Sequence, residues 1–306
     1  MVYNLEIVKK ILKNRIYQMQ INQEYKNKKF KIPIHLALGH ESIAVSISEI
    51  MDENDKLVLS HRNMAYNLAK VGSLKPILDE YLLKKSGIRE GKVGSMNLAC
   101  LDYGILYSSS ILGNNFSVAV GISMSQKMHS KGITIVLGGD GAIEEGSFHE
   151  SLLMLQSLQL SSLVMIENND FSLGTRIHER RHSINLKKFC ESYDIKYVKL
   201  EKNNPFDYIE ILKNLKSLSI NSQSPICVEV IVTTLGDWVL ETSEYPNGKP
   251  VIYHAGPTPS VDLDDGLKPI HNSTDDPIFV LEKLISKQEF ELTKNQVLEE
   301  VKSEQL

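Results

Sequence analysis

The sequence predicts an α/β fold with a parallel sheet flanked by helices, and three observations carry that expectation. Two short apolar runs, Ile133–Leu137 and Leu163–Ile166, read as buried strands. The amphipathic stretch Phe148–Leu158 between them reads as a helix. Strand, helix and strand in that order make a βαβ unit, whose right-handed crossover brings both strand ends to one edge of a parallel sheet.

Each run is followed by a polar segment with chemistry in it. After the first comes Gly-Gly-Asp-Gly-Ala-Ile-Glu-Glu-Gly at 138–146, and after the second Glu-Asn-Asn-Asp at 167–170. Asp140 and Asn169 are therefore expected side by side at the C-terminal strand ends, where open α/β sheets bind ligands. A carboxylate, an amide oxygen and a nearby backbone carbonyl suit a hard cation such as magnesium or calcium, which completes its shell with phosphate oxygens and water. The glycines let backbone N–H groups approach a phosphate, and the following helix N-terminus adds positive partial charge. A Gly-rich strand-to-helix turn that binds nothing is the plainer alternative, and the second motif at the end of the next strand weighs against it.

The remaining elements follow in chain order. Leu5, Val8, Leu12, Ile16 and Met19 recur at helical spacing, so the basic N-terminus, with Lys9, Lys10, Lys13 and Arg15, reads as a helix that packs rather than a transit peptide. Lys56–Leu59 and Ile226–Val232 read as further central strands, followed by the polar clusters Ser60-His61-Arg62 and Thr233-Thr234. Polar groups converging at one sheet edge are what a ligand site needs and a plain core does not. Phe116–Met128 reads as a helix whose small Ser, Ala and Gly residues permit close packing. Six of the ten prolines fall between Pro246 and Pro277, which predicts an extended, irregular segment over 243–277. Residues 1–285 are then expected to form a single domain, with 286–306 a charged helix and frayed tail.

Composition excludes several classes. The net charge of −4 offers no basic field for nucleic acid. No apolar stretch approaches the roughly 20 residues of a membrane helix. Cys100, Cys190 and Cys227 form no CxxC pair or disulfide framework, which fits a reducing cytoplasm.

Gly-Asp-Gly followed some thirty residues later by Asn-Asn resembles the diphosphate-binding motif of thiamine-diphosphate enzymes. Ile34-His-Leu-Ala-Leu-Gly-His-Glu41, Ser60-His-Arg62, Gly91-Lys-Val-Gly-Ser-Met96, Gly141-Ala-Ile-Glu-Glu-Gly-Ser-Phe-His-Glu-Ser151 and Asp276-Pro-Ile278 run in the order seen in one family. It is the alpha subunit of the thiamine-dependent component of 2-oxo acid dehydrogenase complexes, and the resemblance covers about residues 5–285. It implies the thiamin-diphosphate-binding fold, thiamine diphosphate and Mg²⁺ as cofactors, and oxidative decarboxylation of a 2-oxo acid.

Carried over residue by residue, the resemblance implies a cofactor site made by His61, Arg62, Ser110, Leu112, Gly139, Asp140, Gly141, Ala142, Asn169 and Phe171. Asp140, Asn169 and the Phe171 carbonyl would bind the metal. Arg62 would clamp diphosphate, because a guanidinium matches phosphate geometry, and a surface salt bridge is its plainer role. The family usually has an aromatic residue at position 61, where this chain has histidine. Ser110 matches the position that meets the aminopyrimidine amine, and Leu112 the side chain that props the bent cofactor, or else an ordinary core leucine. His35 matches a position near the substrate carboxylate, against a satisfied core histidine. His40 stands where the family usually has Gln and reads as structural support, and His149 as an outer or interface residue.

One departure bears on the reaction. A Gly-His-Ser loop normally follows the strand equivalent to Ile226–Val232, whereas here the chain reads Thr233-Thr-Leu-Gly-Asp-Trp-Val-Leu240 with no histidine. Tyr253-His-Ala-Gly-Pro257 comes later, and this arrangement looks more like transketolase. His35 and His254 are therefore the candidate catalytic residues, with a split transketolase-like ketol transferase as the alternative enzyme. A cofactor-free structural paralogue is the alternative of another class. In the superfamily a glutamate on a second domain, often on another chain, activates the aminopyrimidine. Glu144, Glu145 and Glu150 lie beside the phosphate loop and are poorly placed for that role. The expected partner is a beta-type subunit carrying the pyrimidine-binding domain, in an α2β2 heterotetramer, with the N-terminal helix and the Phe116–Met128 helix as contact surfaces. The small-molecule partner would be a 2-oxo acid or a ketose.

Overall fold

The computed structural model describes residues 3–129, 132–258 and 270–304. Ten strands run as β1 (Lys56–Ser60), β2 (Ile105–Ser109), β3 (Thr134–Gly139), β4 (Ser162–Asn168), β5 (Phe171–Ser172), β6 (Thr175–Arg176), β7 (Lys196–Leu200), β8 (Pro225–Ile231), β9 (Asp237–Leu240) and β10 (Lys249–Ile252). Helices α1 (Leu5–Lys26), α2 (Glu41–Ile50), α3 (Met64–Val71) and α4 (Lys75–Tyr81) belong to the first part of the chain. They are followed by α5 (Asn114–His129), α6 (Gly146–Ser157), α7 (Ile177–Arg180), α8 (Leu186–Glu191) and α9 (Pro205–Ser222), and then by α10 (Pro277–Leu284) and α11 (Lys287–Ser303).

Six strands form one sheet in the order β2-β1-β3-β4-β8-β7, and every pairing in it is parallel. The four central strands are those read as apolar runs, since strands buried on both faces carry unbroken hydrophobic sequence. The two edge strands escaped that reading for a physical reason. Ile105-Leu-Tyr-Ser-Ser and Lys196-Tyr-Val-Lys-Leu pair on one side only and are partly solvated, so polar residues interrupt them.

One apolar layer covers the sheet with α1, α2, α3 and α9, and the other packs α5, α6 and α8 against the opposite face. Gly138 is required where α5 meets β3: a Cβ there would lie 2.3 Å from the Phe116 ring. The Pro-rich segment contains an antiparallel hairpin, β9 with β10, where Pro250 faces Val239 on a two-stranded ribbon that tolerates the missing donor. The part of that segment at 259–269 lies outside the described residues, as do residues 305–306 of the expected tail.

Helix α1 corrects one expectation. It is buried on nearly all sides by α2, α3, α10 and α11, so its apolar face is core and not a partner surface. The C-terminal helix that was expected to be a charged extension packs on it through Phe290, Val297 and Val301. At the centre of this bundle Arg15 is 1 % exposed and donates to Glu41 Oε1 at 2.6 Å and to Asp276 Oδ1 at 2.9 Å. Asp276 also caps α10 through the Ile278 N–H, and Glu41 Oε2 accepts from the Gly39 N–H at 2.8 Å. Three helices are thus tied to the loop that carries His35 and His40.

Removing one member of a buried ion pair leaves the others uncompensated in a dry site. Arg15→Ala is expected to lower stability by about 3–5 kcal/mol, read from the urea midpoint. A loss below about 1 kcal/mol would mean that water reaches these carboxylates.

Candidate active site

Strand β1 is followed by β2 on one side and has β3 on the other, so the chain reverses direction across the sheet at the β1/β3 boundary. Loops after parallel strands diverge at such a switch point and leave a crevice. A cleft of about 310 Å³ lies there, lined by the ends of β1, β2, β3 and β4 and by His254. All of the sequence-predicted positions line it: His35, His61, Arg62, Ser110, Leu112, Gly139, Asp140, Gly141, Ala142, Asn169, Phe171 and His254.

Gly139 pairs with Glu167 across β3 and β4, which sets Asp140 beside the Glu-Asn-Asn turn. Asp140 is 2 % exposed. Burial raises its carboxyl above the ordinary value, while Arg180 and the backbone N–H groups of Asp140 and Asn169 pull the other way. Arg180 Nη2 donates to Asp140 Oδ2 at 2.7 Å, and its Nε donates to Glu144 Oε1 at 2.7 Å. Arg181 Nε reaches the same Glu144 oxygen, also at 2.7 Å. The short helix α7 is thereby fastened over the Gly-rich loop. These arginines were not identified from sequence; the only signal was a basic pair near an acidic loop. Gly141 is needed beneath them, because a Cβ would meet Ser172 Oγ at 2.6 Å.

The two asparagines of the second motif divide their work, as neighbours on a strand end facing opposite sides should. Asn168 donates to Glu229 Oε1 at 2.7 Å and accepts from the Asp170 N–H, so it holds the turn. Asn169 faces the cleft, with its Oδ1 accepting from the Phe171 N–H at 3.0 Å and its Nδ2 donating to Thr234 Oγ1 at 2.9 Å.

Arg62 is buried without a carboxylate hydrogen-bonded to it, so it is not a surface salt bridge. Its Nη1 donates to the Leu36 carbonyl at 2.6 Å and its Nη2 to the His254 carbonyl at 3.1 Å. The guanidinium thereby braces the two segments that carry His35 and His254. Burial lowers its affinity for the proton, and the charges of Tyr253 and Glu167 oppose that. Beside it stand three imidazoles, with ring centroids 5.1 Å apart for His35 and His61, 5.4 Å for His35 and His254, and 6.4 Å for His61 and His254. Burial first, then the Arg62 charge and the neighbouring rings, lowers His35 to about 2. Burial and Arg62 likewise hold His61 and His254 at about 4. All three are neutral at physiological pH. His35 Nδ1 is buried with no hydrogen-bond partner, which marks a place for a polar ligand atom.

Leu112 is 43 % exposed at the mouth of the cleft, which separates it from a core leucine. Ser110 and Ile111 are exposed beside it. His149 lies outside the cleft, edge-on to Phe148 and Phe189. Met96, Asn115 and Glu167 also line the site but were given no role from sequence, because apolar, amide and strand-end residues of this kind carry no distinguishing pattern.

The donor set fits a hard divalent cation. Asp140 and Asn169 present oxygen atoms on adjacent strand ends, and the Arg180 guanidinium against Asp140 shows that positive charge is favoured there. The loop glycines and the start of α6 suit a diphosphate.

The neutral histidines have a consequence for stability. In the unfolded chain each takes a proton near pH 6.5, whereas in the folded chain none does until about 4 or below. The unfolded state therefore binds more protons between those values. Their contribution is complete above pH 6.5 and is lost as pH falls toward 4, at up to about 1.4 kcal/mol per pH unit for each ring. The urea midpoint is expected to drop between pH 7 and pH 5, and His35→Gln is expected to flatten that slope. Equal slopes in wild type and variant would contradict the burial of a neutral His35.

Known proteins place the chain. The model of a family described as "Dehydrogenase E1 component" matches residues 9–234. A mitochondrial pyruvate dehydrogenase E1 component subunit alpha from Chaetomium thermophilum is 31 % identical over 182 residues, 56 % of this chain and 44 % of the relative. The alpha subunit of acetoin:2,6-dichlorophenolindophenol oxidoreductase from Bacillus subtilis is 32 % identical over 143 residues, 46 % of this chain and 43 % of the relative. A pyruvate dehydrogenase E1 component subunit alpha from Rickettsia bellii is 26 % identical over 64 % of this chain and 60 % of its own. The chain thus spans about half the length of the curated relatives it matches. Among solved structures, a transketolase from Pichia stipitis superposes with a TM-score of 0.63 at 15 % identity, covering 99 % of this chain and 45 % of that one. A Campylobacter jejuni transketolase gives 0.60 at 14 %, covering 97 % and 48 %. Those two likenesses show that the chain shares the α/β fold of these transketolases. With that family model matching residues 9–234, well over half of its length, the chain belongs to the dehydrogenase E1 component family.

Proposed function

We propose that this chain is the alpha subunit of a thiamine-diphosphate- and magnesium-dependent 2-oxo acid dehydrogenase. The observation that carries the reading is the placement of Asp140 and Asn169 on adjacent parallel strand ends at the topological switch point, above a Gly-rich turn. Asp140, Asn169 and the Phe171 carbonyl would hold Mg²⁺ and, through it, a diphosphate. Gly139, Gly141 and Ala142 would let the backbone approach that diphosphate. Ser110 and Leu112 would meet the pyrimidine end at the mouth of the cleft. Bound there, thiamine diphosphate supplies a carbon nucleophile and an electron sink for decarboxylation. Arg62 holds the His35 and His254 segments in place, and the neutral rings of His35, His61 and His254 can each donate or accept a hydrogen bond beside the substrate.

The His254 position supports a second reading, ketol transfer. Neutral imidazoles hydrogen-bond hydroxyl groups well and offer no charge to a carboxylate, so a ketose donor is the alternative substrate class.

A beta-type partner subunit, in an α2β2 assembly, is proposed to cover the open side of the cleft. The outward face of α5 and α6 supports this: Gly121 has open space around it, and Met124, Met128, Leu153 and Met154 are exposed, Met128 by 73 %. A contiguous apolar face of that kind marks an interaction surface. No described helix is long and apolar enough to cross a membrane, and the three cysteines are unpaired and buried. A cytoplasmic location is proposed on that basis.

Three measurements check the reading. Asp140→Ala is expected to abolish magnesium-dependent binding of thiamine diphosphate to the assembled enzyme while leaving the fold largely intact; unchanged affinity by calorimetry would refute the site. His254→Ala is expected to cut turnover by at least about tenfold, the cost of one lost transition-state hydrogen bond, with a nearly unchanged melting temperature. Full activity in that variant, together with its loss in His35→Ala, would remove His254 from the reaction. The pure chain alone is expected to catalyse nothing and to gain activity with its partner. Decarboxylation or ketol transfer by the isolated chain, with a co-purified partner excluded by mass spectrometry, would overturn the two-subunit account.

A further inference from the structure

We infer that His40 and Thr234 are positioning residues for the cation site: with Glu167 they form a buried hydrogen-bond chain that fixes which end of the Asn169 carboxamide faces the metal. The inference rests on the proposed role of Asn169 as a cation ligand and assigns work to residues that reading leaves unused.

The chain of contacts is short and directional. The Phe171 backbone N–H can only donate, so the Asn169 atom 3.0 Å from it is the oxygen. Asn169 Nδ2 therefore points the other way and donates to Thr234 Oγ1 at 2.9 Å. The Thr234 hydroxyl lies 2.9 Å from His40 Nε2, and His40 Nδ1 lies 2.7 Å from Glu167 Oε1. Glu167 also accepts from the Tyr66 hydroxyl at 2.6 Å. A carboxylate only accepts, so His40 Nδ1 carries hydrogen toward it; in that tautomer of the neutral ring Nε2 accepts from Thr234 and the Thr234 oxygen accepts from Asn169. Every donor meets an acceptor, and each bond polarises the next.

The chain is also rigid and dry. His40 and Thr234 are each 1 % exposed. Their loops are clamped together by the Leu235 N–H on the Leu38 carbonyl at 2.8 Å. Gly39, at φ +94°, permits that approach, because a Cβ would lie 2.0 Å from the Thr233 carbonyl oxygen. A flipped Asn169 would present NH₂ to the cation and leave two N–H groups facing each other at Phe171. The relay opposes that flip, and outer groups that orient metal ligands are typically worth 10- to 100-fold in affinity.

The test titrates Mn²⁺ into the chain assembled with its partner subunit and saturating thiamine diphosphate, at protein concentrations that reach millimolar affinities, and counts free metal by electron paramagnetic resonance. Thr234→Val keeps the shape of the side chain and removes the hydroxyl. It is expected to weaken Mn²⁺ binding by about 10- to 100-fold, whereas Thr234→Ser stays within about threefold of wild type. His40→Asn, which can reach Glu167 but not Thr234, is expected to match Thr234→Val, and serves if that variant does not fold. Wild-type affinity in the variants, or equal loss in Thr234→Val and Thr234→Ser, would overturn the relay. Absence of cofactor-dependent Mn²⁺ binding by the assembled wild-type enzyme would instead overturn the cation-site reading beneath it.

Discussion

Parallel pairing of the six-stranded sheet governs the rest of this structure. Once β1, β3, β4 and β8 run side by side in the same direction, their C-terminal loops must emerge at one edge. The reversal between β1 and β3 opens a crevice there, and the loops after the strands supply Arg62, Asp140, Asn169 and Thr234 to a single small volume. No loop needs to fold alone: each is held by the strand below it and by hydrogen bonds to its neighbours. Arg62 ties the first loop to the His35 and His254 segments, and Asn169 ties the turn after β4 to the loop after β8.

Electrostatics sharpen what topology assembles. The cleft concentrates groups that burial would normally neutralise, and the arrangement separates them by type. Carboxylates are given cations: Arg180 stands on Asp140, and Arg15 stands between Glu41 and Asp276. Imidazoles are buried around an arginine, and burial first and its charge second keep them neutral. Neutral rings keep both a donor and an acceptor nitrogen, so each can hydrogen-bond a substrate hydroxyl either way. The result is one corner of carboxylate and amide oxygens and one wall of neutral imidazoles.

How much of this was legible in sequence follows from the physics of each signal. The β3–α6–β4 unit was readable because buried central strands leave unbroken apolar runs, and because glycine is required where Phe116 packs against Gly138. Asp140 and Asn169 followed from the same unit, since adjacent parallel strand ends fix their distance. The edge strands β2 and β7 were not readable, since one solvated side admits Tyr, Ser and Lys. Helix α1 was readable as a helix but not as a buried one: its polar residues Asn14, Arg15, Gln18 and Asn22 are all satisfied internally, and composition alone cannot distinguish that from exposure. His35, His61 and His254 meet only through the fold, and the family pattern rather than spacing pointed to them. Arg180 had no signal beyond its charge.

The central claim is that this sheet edge binds a divalent cation and, through it, a diphosphate. Crystals grown with thiamine diphosphate and Mn²⁺ test it most directly, because manganese scatters anomalously and locates itself. The account predicts a single anomalous peak between Asp140 and Asn169 at coordinating distance from both oxygens, about 2 Å, with diphosphate density running toward Gly139 and Gly141. Cofactor density without a metal peak there, or a peak held by other residues, would contradict it.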